Sequence, residues 1–235
     1  MIYKMLVLDL DDTLLTDDYK ISPRNKEFLI KAQEKGIYVV LASGRPTPAM
    51  MQFALELELD KFGSFVISFN GGMVIDVKHQ SVLFKQCLTK EEIHDLHDFS
   101  KIHNVDIITY LNDSIICEKE SQYIEIEKRL TGMSLQEVQC FKTAVNTSAV
   151  KCLMLEEPSY LKTVEQKLKA HRPDLSVSIS KPFFLEVMPR GIDKAASIDF
   201  LAKKLGISRE EIIAVGNAGN DLTMIEYAGL GVWVD

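Results

Sequence analysis

The sequence predicts an α/β protein with a mostly parallel sheet core, interrupted by a separate inserted α+β domain. Three observations predict it. Met5 to Leu8, Ile37 to Ala42, Phe65 to Phe69 and Ile212 to Val215 are short apolar runs without polar alternation, the pattern of strands buried on both faces. Helical segments separate them, which implies parallel strands with right-handed crossovers. Between about Phe84 and Leu185 the texture changes to hairpins and helices with no cluster of acids.

The chain turns on its first strand, because Met5 to Leu8 runs directly into Asp9-Leu10-Asp11-Asp12-Thr13-Leu14-Leu15. In open α/β sheets the ligand crevice lies at the carboxyl ends of the strands, which places Asp9 and Asp11 at the mouth of a site. Strand alternation would point Asp9 and Asp11 the same way and Leu10 into the core. Two adjacent carboxylates repel, so they either cap a turn or meet a hard divalent cation such as Mg2+. Next, Ser22 and Pro23 open a helix that Gly36 ends. The strand at Ile37 to Ala42 stops at Ser43-Gly44-Arg45-Pro46, which leads into a helix through about Leu59. Phe65 to Phe69 ends in Asn70-Gly71-Gly72, and Met73 to Asp76 with Val82 to Lys85 reads as a hairpin.

In the middle block, Thr89 begins a helix, and Asp106 to Leu111 and Ser114 to Glu118 flank the turn signal Asn112-Asp113. A helix through about Arg129, a strand at Ala149 to Leu155, a helix at Pro158 to His171 and a strand at Ser176 to Ser180 follow. His94 and His97 lie three apart on a helix and read as a solvated face, with no third metal ligand nearby. The βα pattern is expected to resume near Glu186-Val187-Met188-Pro189, giving a core of residues 1–83 and 186–235 around an insert of residues 84–185. Phe183, Phe184 and Met188 sit at that return, where an apolar stretch is more often core than pocket lining. Lys194 opens a helix to Leu205, Ser208 to Glu211 forms a capping box, and Ile212 to Val215 ends in Gly216-Asn217-Ala218-Gly219-Asn220-Asp221. A helix at Leu222 to Tyr227 and a strand from Gly231 complete the chain.

Composition bounds the function. The chain has 235 residues, 46% hydrophobic and 26% charged, enough for a sizeable core. A net charge of −7 argues against nucleic acid or anionic membrane as a partner, so an anionic substrate needs a local cation. No apolar run approaches the ~20 residues of a membrane span. Four scattered cysteines without a C-x-x-C pair, and no secretory-type N-terminus, lead to the expectation of a reducing cytoplasm. Separate strand ends thus deliver Asp9 and Asp11, Ser43, Lys194 and Asn220-Asp221 to one crevice. Each has an ordinary explanation, as a turn, a helix cap or, for Lys194, a solvated first-turn lysine, but the ordered set fits phosphoryl transfer.

Asp-Leu-Asp-Asp-Thr-Leu-Leu, Leu-Ala-Ser-Gly-Arg-Pro, Lys194 and Gly-Asn-Ala-Gly-Asn-Asp-Leu-Thr-Met resemble the four ordered motifs of the haloacid dehalogenase-like superfamily. The Asn70-Gly71 strand end and the insert after the third strand are similar to Cof-like phosphatases with a type IIB cap. The resemblance implies a Rossmann-like core, a mobile cap, and a Mg2+-dependent phosphoric monoester hydrolase acting on small phosphorylated metabolites such as sugar phosphates. It implies Asp9 as nucleophile, Asp11 as acid and base, Ser43 on a phosphoryl oxygen and Lys194 neutralising charge. Gly44, Arg45, Asn70, Gly71 and Asn220 would join Ser43 and Lys194 around substrate. Asp9, the Asp11 main chain, Asn217 and Asp221 would serve the metal. The family usually has Asp where this chain has Asn217, so weaker Mg2+ binding and slower turnover are expected, with Asp221 sharing the burden. Such relatives also usually continue beyond the Gly231-Val232-Trp233-Val234 strand, so an exposed sheet edge is expected there. Two rival readings are a phosphometabolite-binding protein with weakened turnover and a receiver-like signalling domain. The insert disfavours the second.

Overall fold

The computed structural model describes residues 3–234, which form two compact units: residues 3–85 with 192–234, and Gln86–Gly191. The first unit begins with β1 (Met5–Leu8), a kinked turn at Leu10–Leu14 and α1 (Pro23–Glu34). Ser22 caps α1 by accepting the Asn25 N–H, and Pro23 takes the first turn, where its missing N–H costs nothing. β2 (Tyr38–Ala42), α2 (Thr47–Glu56), α3 (Leu59–Phe62), β3 (Phe65–Ser68), β4 (Met73–Asp76) and β5 (Ser81–Lys85) follow.

The second unit holds α4 (Lys90–Ile102), β6 (Asp106–Leu111), β7 (Ser114–Cys117), α5 (Gln122–Thr131), β8 (Ser134–Glu137) and α6 (Phe141–Ala144). It continues through β9 (Cys152–Leu155), α7 (Pro158–His171), β10 (Leu175–Lys181) and β11 (Phe184–Pro189). The chain then returns to the first unit with α8 (Lys194–Leu205), β12 (Ile212–Gly216), α9 (Leu222–Tyr227) and β13 (Leu230–Trp233).

The first unit's sheet has the order β13-β12-β1-β2-β3-β4-β5, parallel from β13 to β3 and antiparallel beyond. Its strands carry apolar side chains on both faces, as the unbroken runs require. Leu8, Val39 and Leu41 pack with Leu29, Met50 and Phe53 of α1 and α2, while Met5, Val7 and Val40 pack with Ile198, Leu201 and Met224 of α8 and α9. The result is a sheet between two helical layers, with its central strand ends aimed at one edge. β13 is the outer strand, and Leu230, Val232 and Trp233 are exposed on it.

The second unit's sheet has the order β10-β11-β9-β6-β7-β8, antiparallel except for β7 with β8. Here the boundaries differ from those expected at 84 and 185. Phe84 and Lys85 finish β5, and Phe184–Pro189 is not a returning core strand but β11, paired to β9 and β10. Phe184 and Met188 are buried, and Phe183 stacks on Tyr123. His97 is buried rather than solvated, lying flat against Phe141 with its Nε2 3.1 Å from Glu118, and His94 reaches the Val145 carbonyl. Burial raises the Glu118 carboxyl, but the Lys101 ammonium and Phe141 N–H outweigh it and bring it to about 2. The four cysteines are free, and among the described residues no helix is long and apolar enough to cross a membrane.

Candidate active site

The carboxyl ends of β1, β2, β3 and β12 deliver the polar groups. β1 stops at Leu8, so Asp9 and Asp11 do not share a strand face: Asp9 follows the last strand residue and Asp11 sits in the kinked turn. Asp11 is extended at φ −70°, whereas Asp12 turns left-handed at φ 57°, a conformation Asp tolerates. Leu10 and Leu14 anchor the turn in the core. Beyond it Leu15 bridges to Ile21, closing a small hairpin over Thr16 to Lys20.

Lys194 organises the interior of the site. Asp193 caps α8 by accepting the Ala196 N–H at 2.7 Å, which puts Lys194 on the first turn with no solvent exposure. Its Nζ donates at 2.6 Å to Asp9 Oδ1 and at 2.6 Å to Asp221 Oδ1. Asp9 is 5% exposed and Asp221 fully buried, so two carboxylates share one ammonium out of water. Burial pushes the Asp9 carboxyl up, Lys194 pulls it down and Asp221 pushes it up again, leaving it raised to about 6.

Asp221 is committed on both oxygens, because its Oδ2 also accepts the Asn217 and Ala218 N–H groups at 3.0 Å each. Its carboxylate therefore folds the loop after β12 and positions Lys194. Gly216 makes room for it, since a Cβ there would lie 2.6 Å from the Asp221 side chain. Asn217 Oδ1 accepts the Thr13 hydroxyl at 3.2 Å. Thr13 is a residue that spacing alone did not single out, although it lies within the first motif.

Ser43 is buried after β2, and its Oγ accepts the Arg45 N–H at 3.2 Å, which keeps the hydroxyl proton available to another acceptor. The Ser43 carbonyl accepts the Asn70 N–H, and the Arg45 carbonyl accepts the Phe69 N–H, so the ends of β2 and β3 are laced together. Asn70 Oδ1 accepts Asn220 Nδ2 at 3.0 Å, and the Asn70 amide lies where a Cβ at Gly44 would be 3.1 Å away. Arg45 forks onto Asp11, Nη2 to Oδ1 at 2.6 Å and Nε to Oδ2 at 2.9 Å. All the site residues expected from the sequence thus gather in the first unit, through pairings the sequence did not reveal.

Gly71, at φ 105°, lies against the Asp193 carbonyl, and Ser197 donates to its carbonyl at 2.6 Å. A side chain there would strike the segment that carries Lys194. Gly71→Ala is expected to lower stability by about 1–3 kcal/mol and turnover severalfold, read from urea midpoints and aryl phosphate kinetics on the same preparation.

Comparison with known proteins gives the family. A family model described as haloacid dehalogenase-like hydrolase matches residues 6–235. A Streptococcus pyogenes protein provisionally named a phosphatase is 31% identical over 229 residues, covering 96% of this chain and 85% of its own. A Bacillus subtilis 5-amino-6-(5-phospho-D-ribitylamino)uracil phosphatase is 28% identical, covering 97% and 82%. A haloacid dehalogenase-like hydrolase from Bacteroides thetaiotaomicron superposes with a TM-score of 0.94 at 39% identity, over 98% of this chain and 88% of that one. A subclass IIB sugar phosphatase at 23% identity shares the fold with a TM-score of 0.78. With motifs, fold and comparisons in agreement, this chain belongs to the haloacid dehalogenase-like hydrolases.

Proposed function

We propose that this hydrolase is a Mg2+-dependent phosphatase of small phosphorylated metabolites, sugar phosphates or similar, working through an aspartyl-phosphate on Asp9. The observation that carries the reading is the buried bridge of Lys194 between Asp9 and Asp221 at the strand ends. The phosphatase names of the relatives support a phosphomonoester substrate. The net charge of −7 leaves recognition of an anion to local groups such as Lys194.

Lys194 donates to Asp9 Oδ1 and so fixes the orientation of the carboxylate. In the first half-reaction an Asp9 oxygen bonds to phosphorus while the bond from phosphorus to the leaving oxygen breaks, and Asp11 delivers a proton to that oxygen. In the second, water bonds to phosphorus and gives its proton to Asp11, and the Asp9 carboxylate departs with its electron pair. Ser43 and Lys194 donate to phosphoryl oxygens, and Asn70 and Asn220 border the same strand ends, with Gly44 and Gly71 allowing close approach.

The donor set fits a hard cation. Two carboxylates against one buried ammonium leave uncompensated negative charge, and Asp9 Oδ2, the Asp11 main-chain carbonyl and Asn217 Oδ1 are oxygen donors of the kind Mg2+ takes. Mg2+ needs only one or two protein carboxylates, and when bound it supplies charge neutralisation for the phosphoryl oxygens. Asn217 favours a second reading, a phosphometabolite-binding protein with weakened turnover, because an amide lacks the charge of the aspartate usual there.

Hydrolysis of an aryl phosphate with Mg2+ or EDTA, by this protein and by Asn217→Asp in parallel, tests both. Activity is expected to require Mg2+, and the aspartate variant to bind Mg2+ on the order of 10- to 100-fold more tightly by calorimetry. Phosphate binding without turnover in either protein would favour the second reading.

A further inference from the structure

The resemblance assigns Arg45 to substrate, yet its guanidinium is engaged with Asp11. Both Asp11 oxygens accept from it, at 2.6 and 2.9 Å, in a side-on fork. The Arg45 side chain is 11% exposed and Asp11 41%, so the more buried partner holds the more open one. Arg45 is fixed from several directions. Its N–H donates to Ser43 Oγ, its carbonyl accepts the Phe69 N–H, and its guanidinium lies 5.6 Å from the Tyr19 ring and 5.8 Å from the Phe53 ring. Asp11 occupies a kinked turn of irregular backbone, where a half-open side chain without such a clamp would sample several rotamers.

We propose that Arg45 is a positioning residue for Asp11, acting chiefly in hydrolysis of the aspartyl-phosphate. The inference rests on the reading that Asp9 carries the phosphoryl group and Asp11 handles the proton. A carboxylate that accepts two charge-assisted hydrogen bonds is oriented as an acceptor, the form that takes a proton from water. In that step the water oxygen bonds to phosphorus, the bond from phosphorus to Asp9 breaks with its electrons returning to Asp9, and the water proton passes to Asp11. Donation to a leaving group requires the fork to open, and an aryl leaving group needs little such donation. Loss of Arg45 is therefore felt after the intermediate forms.

Rapid-mixing kinetics with p-nitrophenyl phosphate and Mg2+ test this on the full chain as Arg45→Gln and Arg45→Lys, with Asp11→Asn as control. Both arginine variants are expected to release one equivalent of nitrophenol per enzyme in a burst, then turn over roughly tenfold to a hundredfold more slowly than the parent, with KM unchanged or lower. Lysine does not restore the rate, because a point charge cannot reproduce a two-donor fork. A severalfold rise in KM with no burst would overturn the proposal and return Arg45 to substrate binding. An unchanged steady-state rate in Arg45→Lys would also overturn it. If Asp11→Asn gives neither burst nor slowing, the assignment of Asp11 fails instead. Cooperative melting accompanies each variant, and Arg45→Lys, which keeps charge and stem, carries the comparison if the glutamine variant does not fold.

Discussion

Replacing Lys194 by methionine is expected to destabilise the metal-free protein by about 3–5 kcal/mol and to abolish aryl phosphate hydrolysis. Methionine keeps most of the stem volume, so packing changes little and the charge is what disappears. Asp9 and Asp221 would then face each other in a water-poor interior without the ammonium that now lies 2.6 Å from each. Removing one member of a buried ionic cluster costs far more than the cluster's net worth, because the remaining charges cannot be resolvated. Urea denaturation in EDTA measures the effect. A second change isolates the cause: Asp221→Asn in the Lys194→Met background removes one of the stranded charges and is expected to recover part of the stability but none of the activity. An unchanged urea midpoint in Lys194→Met would mean that the triad is solvated and that its geometry carries no energetic weight.

How much of this was legible in the sequence depended on the range of the interaction. Ser22 with Pro23, Thr89, and Ser208 with Glu211 are local capping signals, and each starts a helical segment in the structure. Pro158–His171 and Leu222–Tyr227 likewise match their expected bounds, since periodicity and flanking residues define them. β8 and α6 leave no signal in the sequence, because Ser134–Glu137 is polar and largely exposed and Phe141–Ala144 is a single turn, so neither has a period to read. β11 departs from the expected unit for a different reason. Phe184–Pro189 is buried along its whole length, the mark of a central strand, but a local sequence does not say which sheet a central strand joins.

The site divides in the same way. The strand ends pointed to Asp9, Asp11, Ser43, Lys194, Asn220 and Asp221, because strand ends are local events and the sheet collects them, and the family resemblance added Arg45, Asn70 and Asn217. Pairings across loops were not legible: Arg45 with Asp11, Thr13 with Asn217, and Asp221 with both Lys194 and the Asn217 and Ala218 N–H groups. Those depend on rotamers set by packing between segments distant in sequence, so a residue list from motifs gives the participants before it gives their roles.

Asp9→Asn is expected to reduce aryl phosphate turnover by on the order of 10^4-fold or more, since an amide cannot form the acyl-phosphate. Its effect on stability should run the opposite way. In the folded, metal-free protein burial raises the Asp9 carboxyl from 3.8 to about 6, against the pull of Lys194. Between those values the folded state holds a proton that the unfolded chain has lost, so stability falls as pH rises from about 4 to about 6. A shift of about two units corresponds to roughly 3 kcal/mol, absent at low pH and fully present as a penalty above pH ~6. Asparagine carries no ionisable group and escapes that penalty. Urea midpoints in EDTA should therefore favour Asp9→Asn over the parent by a margin that grows between pH ~4 and pH ~7. A margin independent of pH would show that Asp9 ionises as freely in the fold as in water. A growing margin would mean that the carboxylate is kept at a net cost to the fold, a cost that a bound cation would offset.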